Sequence, residues 1–143
     1  MGLLAGNRAM HLFVYGSLMF EPVWRRLVRG TYAYRPARLY GFARRRIRND
    51  VYPVIFRSHC GEWVDGLVYL HVSDEDLKRL DFFEGQFYDR QSHPVVVADS
   101  EMIVADAYVL REEYLHLTDN AAWDPHWFAR EGLAAFLGHY KGF

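Results

Sequence analysis

The sequence predicts an α+β fold, a mixed sheet or small barrel carrying a few packed helices, and three observations point there. Segments of strand composition outnumber helical ones, and they do not alternate strictly with helices as a doubly wound sheet requires. At 143 residues and 51% hydrophobic content, the chain can also fill one core well and is short for two, so a single domain over 1–143 is expected.

The elements follow in order. His11 to Tyr15 has strand composition and Gly16 breaks it. Glu21-Pro22 opens a short helix, with proline at a position where the missing N–H costs little; Val23, Trp24, Leu27 and Val28 form its apolar stripe and Gly30 caps its end. Pro36 to Arg46, Val51 to Phe56 and Glu62 to Val72 read as consecutive strands between turns at Asn49-Asp50 and His59-Cys60-Gly61. Ser73 starts a second helix, where its hydroxyl can accept from an orphan N–H and Asp74, Glu75 and Asp76 complement the positive dipole end. Leu77, Leu80, Phe83 and Phe82 supply its buried face, and Gly85 closes it. Phe87 to Ala98 and Met102 to Arg111 read as a hairpin around Asp99-Ser100-Glu101. Asp124-Pro125 caps a C-terminal helix over about 125–140, with Trp127, Phe128, Leu133, Phe136, Leu137 and Tyr140 near one stripe.

Composition excludes several function classes. Seventeen basic against eighteen acidic side chains leave a formal charge of −1, which supplies no global field for nucleic acid or an anionic membrane. No apolar run spans a bilayer, and Met1 to Met10 lacks the apolar core of a signal peptide. The single cysteine, Cys60, rules out an internal disulfide framework. A cytoplasmic protein without nucleic-acid or membrane partners is expected; oligomeric state is not legible. The histidines have no ligand spacing and Cys60 has no cysteine partner, so neither metal nor cofactor is expected.

Two segments carry candidate chemistry. Tyr15-Gly16-Ser17-Leu18 is a strand running into a glycine turn, which is either a plain connection or a cradle whose N–H groups face an oxyanion or carboxylate, with Gly16 permitting a positive φ and close approach. Glu84 stands in the last turn of its helix beside Phe82 and Phe83. There it is either a solvated acid, or a carboxyl whose pKa is raised by burial and by the macrodipole into the range of a proton shuttle. The run Arg44, Arg45, Arg46 and Arg48 alternates faces, with Arg45 opposite the others. It reads as a solvated strand edge, a clamp for a substrate carboxylate, or, with Tyr40, Phe42 and Tyr52, a weak nucleic-acid surface.

The two segments together, Phe13-Val14-Tyr15-Gly16-Ser17-Leu18 and Leu80 to Arg90, resemble the gamma-glutamylcyclotransferase-like family; Tyr40-Gly41-Phe42, Tyr52-Pro53 and Asp65-Gly66-Leu67-Val68-Tyr69 fall between them in the expected order. The resemblance covers about residues 11–111 and is nearest the branch of gamma-glutamylamine cyclotransferase and plant avirulence-induced proteins. It implies a small mixed β-barrel with flanking helices. It also implies conversion of a gamma-glutamyl amide to 5-oxoproline and a free amine, with no cofactor or metal. By matching position, Val14, Tyr15, Gly16, Ser17 and Leu18 bind the glutamyl part, Tyr88 lines the cavity and Glu84 is the acid/base. Leu18 stands where the glutathione-pathway enzymes have asparagine, so their substrate does not carry over. A non-catalytic carboxylate-binding module on the same fold is the alternative.

Overall fold

In a computed structural model, residues 9–50, 52–134 and 137 are described. Five strands form a closed barrel: β1 (Ala9–Val14), β2 (Tyr34–Tyr40), β5 (Trp63–Ser73), β6 (Tyr88–Val96) and β7 (Met102–Leu110), in the order β1-β5-β2-β6-β7. All neighbours are antiparallel except β1 and β7, which close the ring in parallel with Leu12 opposite Asp106. The expected mixed barrel with helices is therefore the fold. β3 (Phe42–Ile47), β4 (Pro53–Arg57) and β8 (Thr118–Ala122) make a small second sheet, ordered β4-β3-β8, which packs on the barrel through β4 against β7 and β3 against β5.

Strand alternation sorts the side chains into two layers. Phe13 of β1 and Tyr15 just after it, Val64 and Val68 from β5, and Ala105, Ala107 and Val109 from β7 fill the barrel, where alanines suit the narrow lumen; Phe42 and Ile55 of the small sheet join that cluster. Leu12 and Val14, pointing the other way, meet α1 (Glu21–Leu27) and α2 (Asp74–Glu84) in a layer with Trp24, Leu27, Leu77 and Leu80. Leu80 is fully buried, and truncating it to alanine removes about 2–5 kcal/mol.

Both caps of α2 are as expected: the Ser73 hydroxyl accepts from the Asp76 N–H at 3.2 Å, and Gly85 ends the helix at φ 77°, a conformation that favours glycine. Other expectations need correction. Phe82 is 77% exposed rather than buried, because the barrel takes the Leu77 and Leu80 side of the helix. Gly30 does not cap α1, which ends at Leu27 with Val28 as its C-cap; the Gly30 N–H instead donates to Asp76 Oδ2 at 2.9 Å. The strand expected over Pro36 to Arg46 is two, divided at Gly41 between the barrel and the small sheet. β8 and the 3-10 segment Glu112–Leu117 were not anticipated. Asp124 caps α3 (Pro125–Trp127) by accepting from the His126 N–H, and the chain continues as a π-helical stretch, Phe128–Gly132. Val51, Phe136 and Tyr140 lie outside the described residues.

The arginine run is not a strand edge, and of its four side chains only Arg48 is exposed. β3 is the central strand of its sheet, and Arg44, Arg45 and Arg46 are half-buried. Arg45 pairs with Glu62 at 2.6 Å, while Arg44 and Arg46 lie over the Trp123 and Trp127 rings. Internal contacts thus occupy the side chains that a nucleic acid or an external clamp would need.

Candidate active site

A cavity of about 550 Å³ opens between the end of β1 and the end of α2. Val14, Tyr15, Gly16, Ser17, Leu18, Glu84 and Tyr88 all border it, so the structure brings every sequence-predicted site residue to one place.

The β1 end is shaped by close approach rather than by a positive φ. Gly16 has φ −139°, yet a Cβ there would stand 2.6 Å from Pro53 Cγ, so β4 leaves room for hydrogen alone. A single 3-10 turn follows, Ser17–Met19, whose first hydrogen bond runs from the Met19 N–H to the Gly16 carbonyl at 2.9 Å. The N–H groups of Ser17 and Leu18, ahead of that bond, have no acceptor within the turn. Tyr15 anchors the segment: its buried hydroxyl donates to the Tyr108 carbonyl at 2.6 Å.

Glu84 enters from the other side as the last residue of α2. The residue is half-buried and borders the cavity. Among the described residues no hydrogen bond or ion pair neutralises it. Burial pushes its pKa up to about 8, and the Asp81 charge adds to the rise. Asp81 is itself bound by Arg90 at 2.8 Å and by the Tyr108 hydroxyl at 2.7 Å.

Phenols complete the surroundings. Tyr88 opens β6, and burial raises its pKa well above the usual value, with Tyr15 and then Glu84 contributing. Burial also raises Tyr15, aided by Glu84, and pushes Tyr52 up to about 12, aided by Asp50. All three stay neutral near pH 7, as hydrogen-bonding groups rather than bases. Tyr108, with Asp81, was missed as a site-forming residue; its only signal was its place on an apolar strand. Asp81 could have been found, because a residue three positions before Glu84 on a helix shares its face.

The remaining wall is mostly apolar, including Ile47, Phe83, Leu110 and Leu117, with Gln86 as a polar member. No cluster of His, Cys, Asp and Glu suited to a metal ion occurs among the described residues, and no helix among them is long and apolar enough to cross a membrane. The arrangement places the Gly16-Ser17 turn and a carboxyl with a pKa raised to about 8 on the wall of one cavity.

A family model described as Gamma-glutamyl cyclotransferase, AIG2-like, matches residues 12–125. AIG2-like protein C of Arabidopsis thaliana is 38% identical over 112 residues, 78% of this chain but 64% of that protein, so the match spans just under two thirds of the relative. The solution structure of another Arabidopsis thaliana protein superposes with a TM-score of 0.70 at 27% identity, covering 94% of this chain and 89% of that one. A structure named gamma-glutamyl cyclotransferase shares the fold, with a TM-score of 0.60 at 22% identity over 72% of this chain and 67% of its own.

Proposed function

This chain belongs to the Gamma-glutamyl cyclotransferase, AIG2-like family, and from that premise we propose that it converts a gamma-glutamyl amide to 5-oxoproline and a free amine. The observation that carries the reading is the un-neutralised Glu84 carboxyl, with its pKa of about 8, in the same cavity as the Gly16-Ser17 turn.

The substrate brings its own nucleophile. Its α-amine attacks the γ-carbonyl, so the protein must fold the glutamyl chain back on itself, exclude water and manage one proton. The α-amine has a pKa of about 7.7–8.0 and is mostly protonated at neutral pH. Glu84, matched to it, takes the ammonium proton and so frees the amine to attack. The carbonyl oxygen becomes an oxyanion facing the N–H groups of the turn. Glu84 then returns that proton to the departing nitrogen as the old C–N bond breaks, and takes up the one that the ring nitrogen sheds on becoming the lactam. Ser17 acts as a hydrogen-bonding residue rather than a nucleophile, since no histidine among the described residues borders the cavity to activate it.

The test is incubation with a panel of gamma-glutamyl amines, gamma-glutamyl dipeptides and glutathione, with 5-oxoproline as the measured product. Release of 5-oxoproline from at least one member is expected. Saturable binding without product from any of them would replace the enzyme with a carboxylate-binding module.

A further inference from the structure

Arg44 is a cation that the proposed chemistry leaves without a task. Its Nη1 donates to the Tyr15 carbonyl at 2.8 Å and to the Asp65 carbonyl at 3.0 Å, and its guanidinium lies 5.2 Å from the centre of the buried Trp123 ring. The neighbouring carboxylates are engaged elsewhere: Asp65 is held by Arg38 at 2.7 Å, and Asp124 accepts the His126 N–H at 3.0 Å. Among the described residues, no carboxylate forms an ion pair with Arg44. Burial lowers its pKa, with Asp65, Tyr15 and Asp124 opposing, but a guanidinium stays charged at any physiological pH. A positive charge therefore stands against the back of the turn, held by backbone oxygens and an aromatic face.

Its position matters because of what the cavity lacks. The described residues that line it include neither lysine nor arginine, and its one carboxyl is Glu84. A ligand carboxylate bound there would find no cation in the wall. The Tyr15 carbonyl, however, belongs to the same trans peptide as the Gly16 N–H, and the two point in opposite directions. A cation on the oxygen strengthens the dipole that ends in that N–H. The half-buried guanidinium thus polarises the cradle from behind without touching its contents.

We propose that Arg44 is a positioning residue that makes the Tyr15 to Leu18 turn selective for the α-carboxylate of the ligand, a role that rests on reading the cavity as a gamma-glutamyl site. The role is separable from a merely structural one. If Arg44 only props the turn, its loss weakens every ligand alike; if its charge acts on the carboxylate, the loss falls on the charged ligand alone.

The probes are 5-oxoproline, which keeps the α-carboxylate, and its neutral carboxamide, titrated by calorimetry into the wild-type protein, Arg44→Met, Arg44→Gln and Arg44→Lys, each checked by thermal melting. The wild type prefers the acid. Arg44→Met, or Arg44→Gln where the first does not fold, shrinks that preference by about ten- to a hundredfold through weaker acid binding. Arg44→Lys recovers most of it. Equal weakening of both ligands, an unchanged preference, or a lysine variant no better than methionine overturns the role. So does a wild type that fails to bind the acid, even if it turns over gamma-glutamyl amides, in which case the enzyme reading stands alone. The expected preference in a protein that releases no 5-oxoproline supports the Arg44 role and removes the enzyme.

Discussion

The Tyr108 hydroxyl donates to Asp81 Oδ1 at 2.7 Å, and the carbonyl of the same tyrosine accepts from Tyr15 at 2.6 Å. One residue of β7 therefore braces both halves of the cavity: the helix end that carries Glu84 and the strand end that carries the turn.

Under the proposed reaction, Glu84→Gln is expected to abolish 5-oxoproline release and to leave the fold and ligand binding largely intact, as product assays, calorimetry and circular dichroism check. Its effect on stability has a definite sign. The folded-state pKa of about 8 lies above the ordinary value of 4.5, so between these values the native state holds a proton that the unfolded chain has released. Stability then falls as pH rises through that window. The substitution removes this dependence, and its melting temperature exceeds the wild type's by at least about 3 °C at pH 9. The two proteins converge below pH 4.5.

For the proposed reaction, a narrow activity optimum near pH 8 is expected. Glu84 and the substrate α-amine share one proton; below the optimum the pair is doubly protonated and has no nucleophile, and above it no acid remains for the leaving amine. Asp81→Asn removes the like charge beside Glu84 and lowers its pKa. The acidic limb of kcat/KM against pH then moves to lower pH, and a limb that stays in place counts against Asp81 as its cause.

Gly16→Ala sets a methyl group against Pro53, 2.6 Å from Cγ. The turn must shift, and a displacement of this kind lowers kcat/KM by about a hundredfold. Thermal melting should show a much smaller relative change, since the added methyl perturbs the cavity edge and not the barrel interior.

Asp76 is 2% exposed and accepts from the Arg29 and Gly30 N–H groups, the Tyr32 hydroxyl and Arg79. Burial alone would raise its pKa, but the Tyr32 and backbone hydrogen bonds outweigh it and the value is lowered. Its stabilisation is thus present above pH 3.8 and lost as pH falls through the folded-state value. Asp76→Ala costs about 3 kcal/mol or more in denaturant unfolding, whereas Asp74→Ala, at the more exposed Lys78 pair, stays within about 0.5 kcal/mol.

Local chemistry made much of this legible. Ser73 and Gly85 bounded α2 correctly because capping is a matter of a few neighbouring atoms, and the hairpin from Tyr88 to Leu110 followed from alternation and a turn. Gly30 misled for the complementary reason: its role is set by Asp76, 46 positions away, which no local pattern reports. The arginine run looked solvated because strand alternation does not reveal that β8 arrives on its far side, and β8 itself, Thr118–Ala122, has little strand composition. At the site, the turn and Glu84 were readable as residues, but Tyr108 acquires its place only when the barrel closes.

That closure bears on how the protein folds. Tyr15 and Tyr108 are 93 positions apart in the chain, and the parallel pairing of β1 with β7 beside them is the last seam of the ring that sequence order allows. Joining segments so distant pays the loop entropy before any contact rewards it, and places the barrel among slower-folding, high-contact-order topologies. The cavity is accordingly a late product of folding: a nascent chain that has not yet delivered β7 carries the turn and the glutamate with nothing to hold them in register.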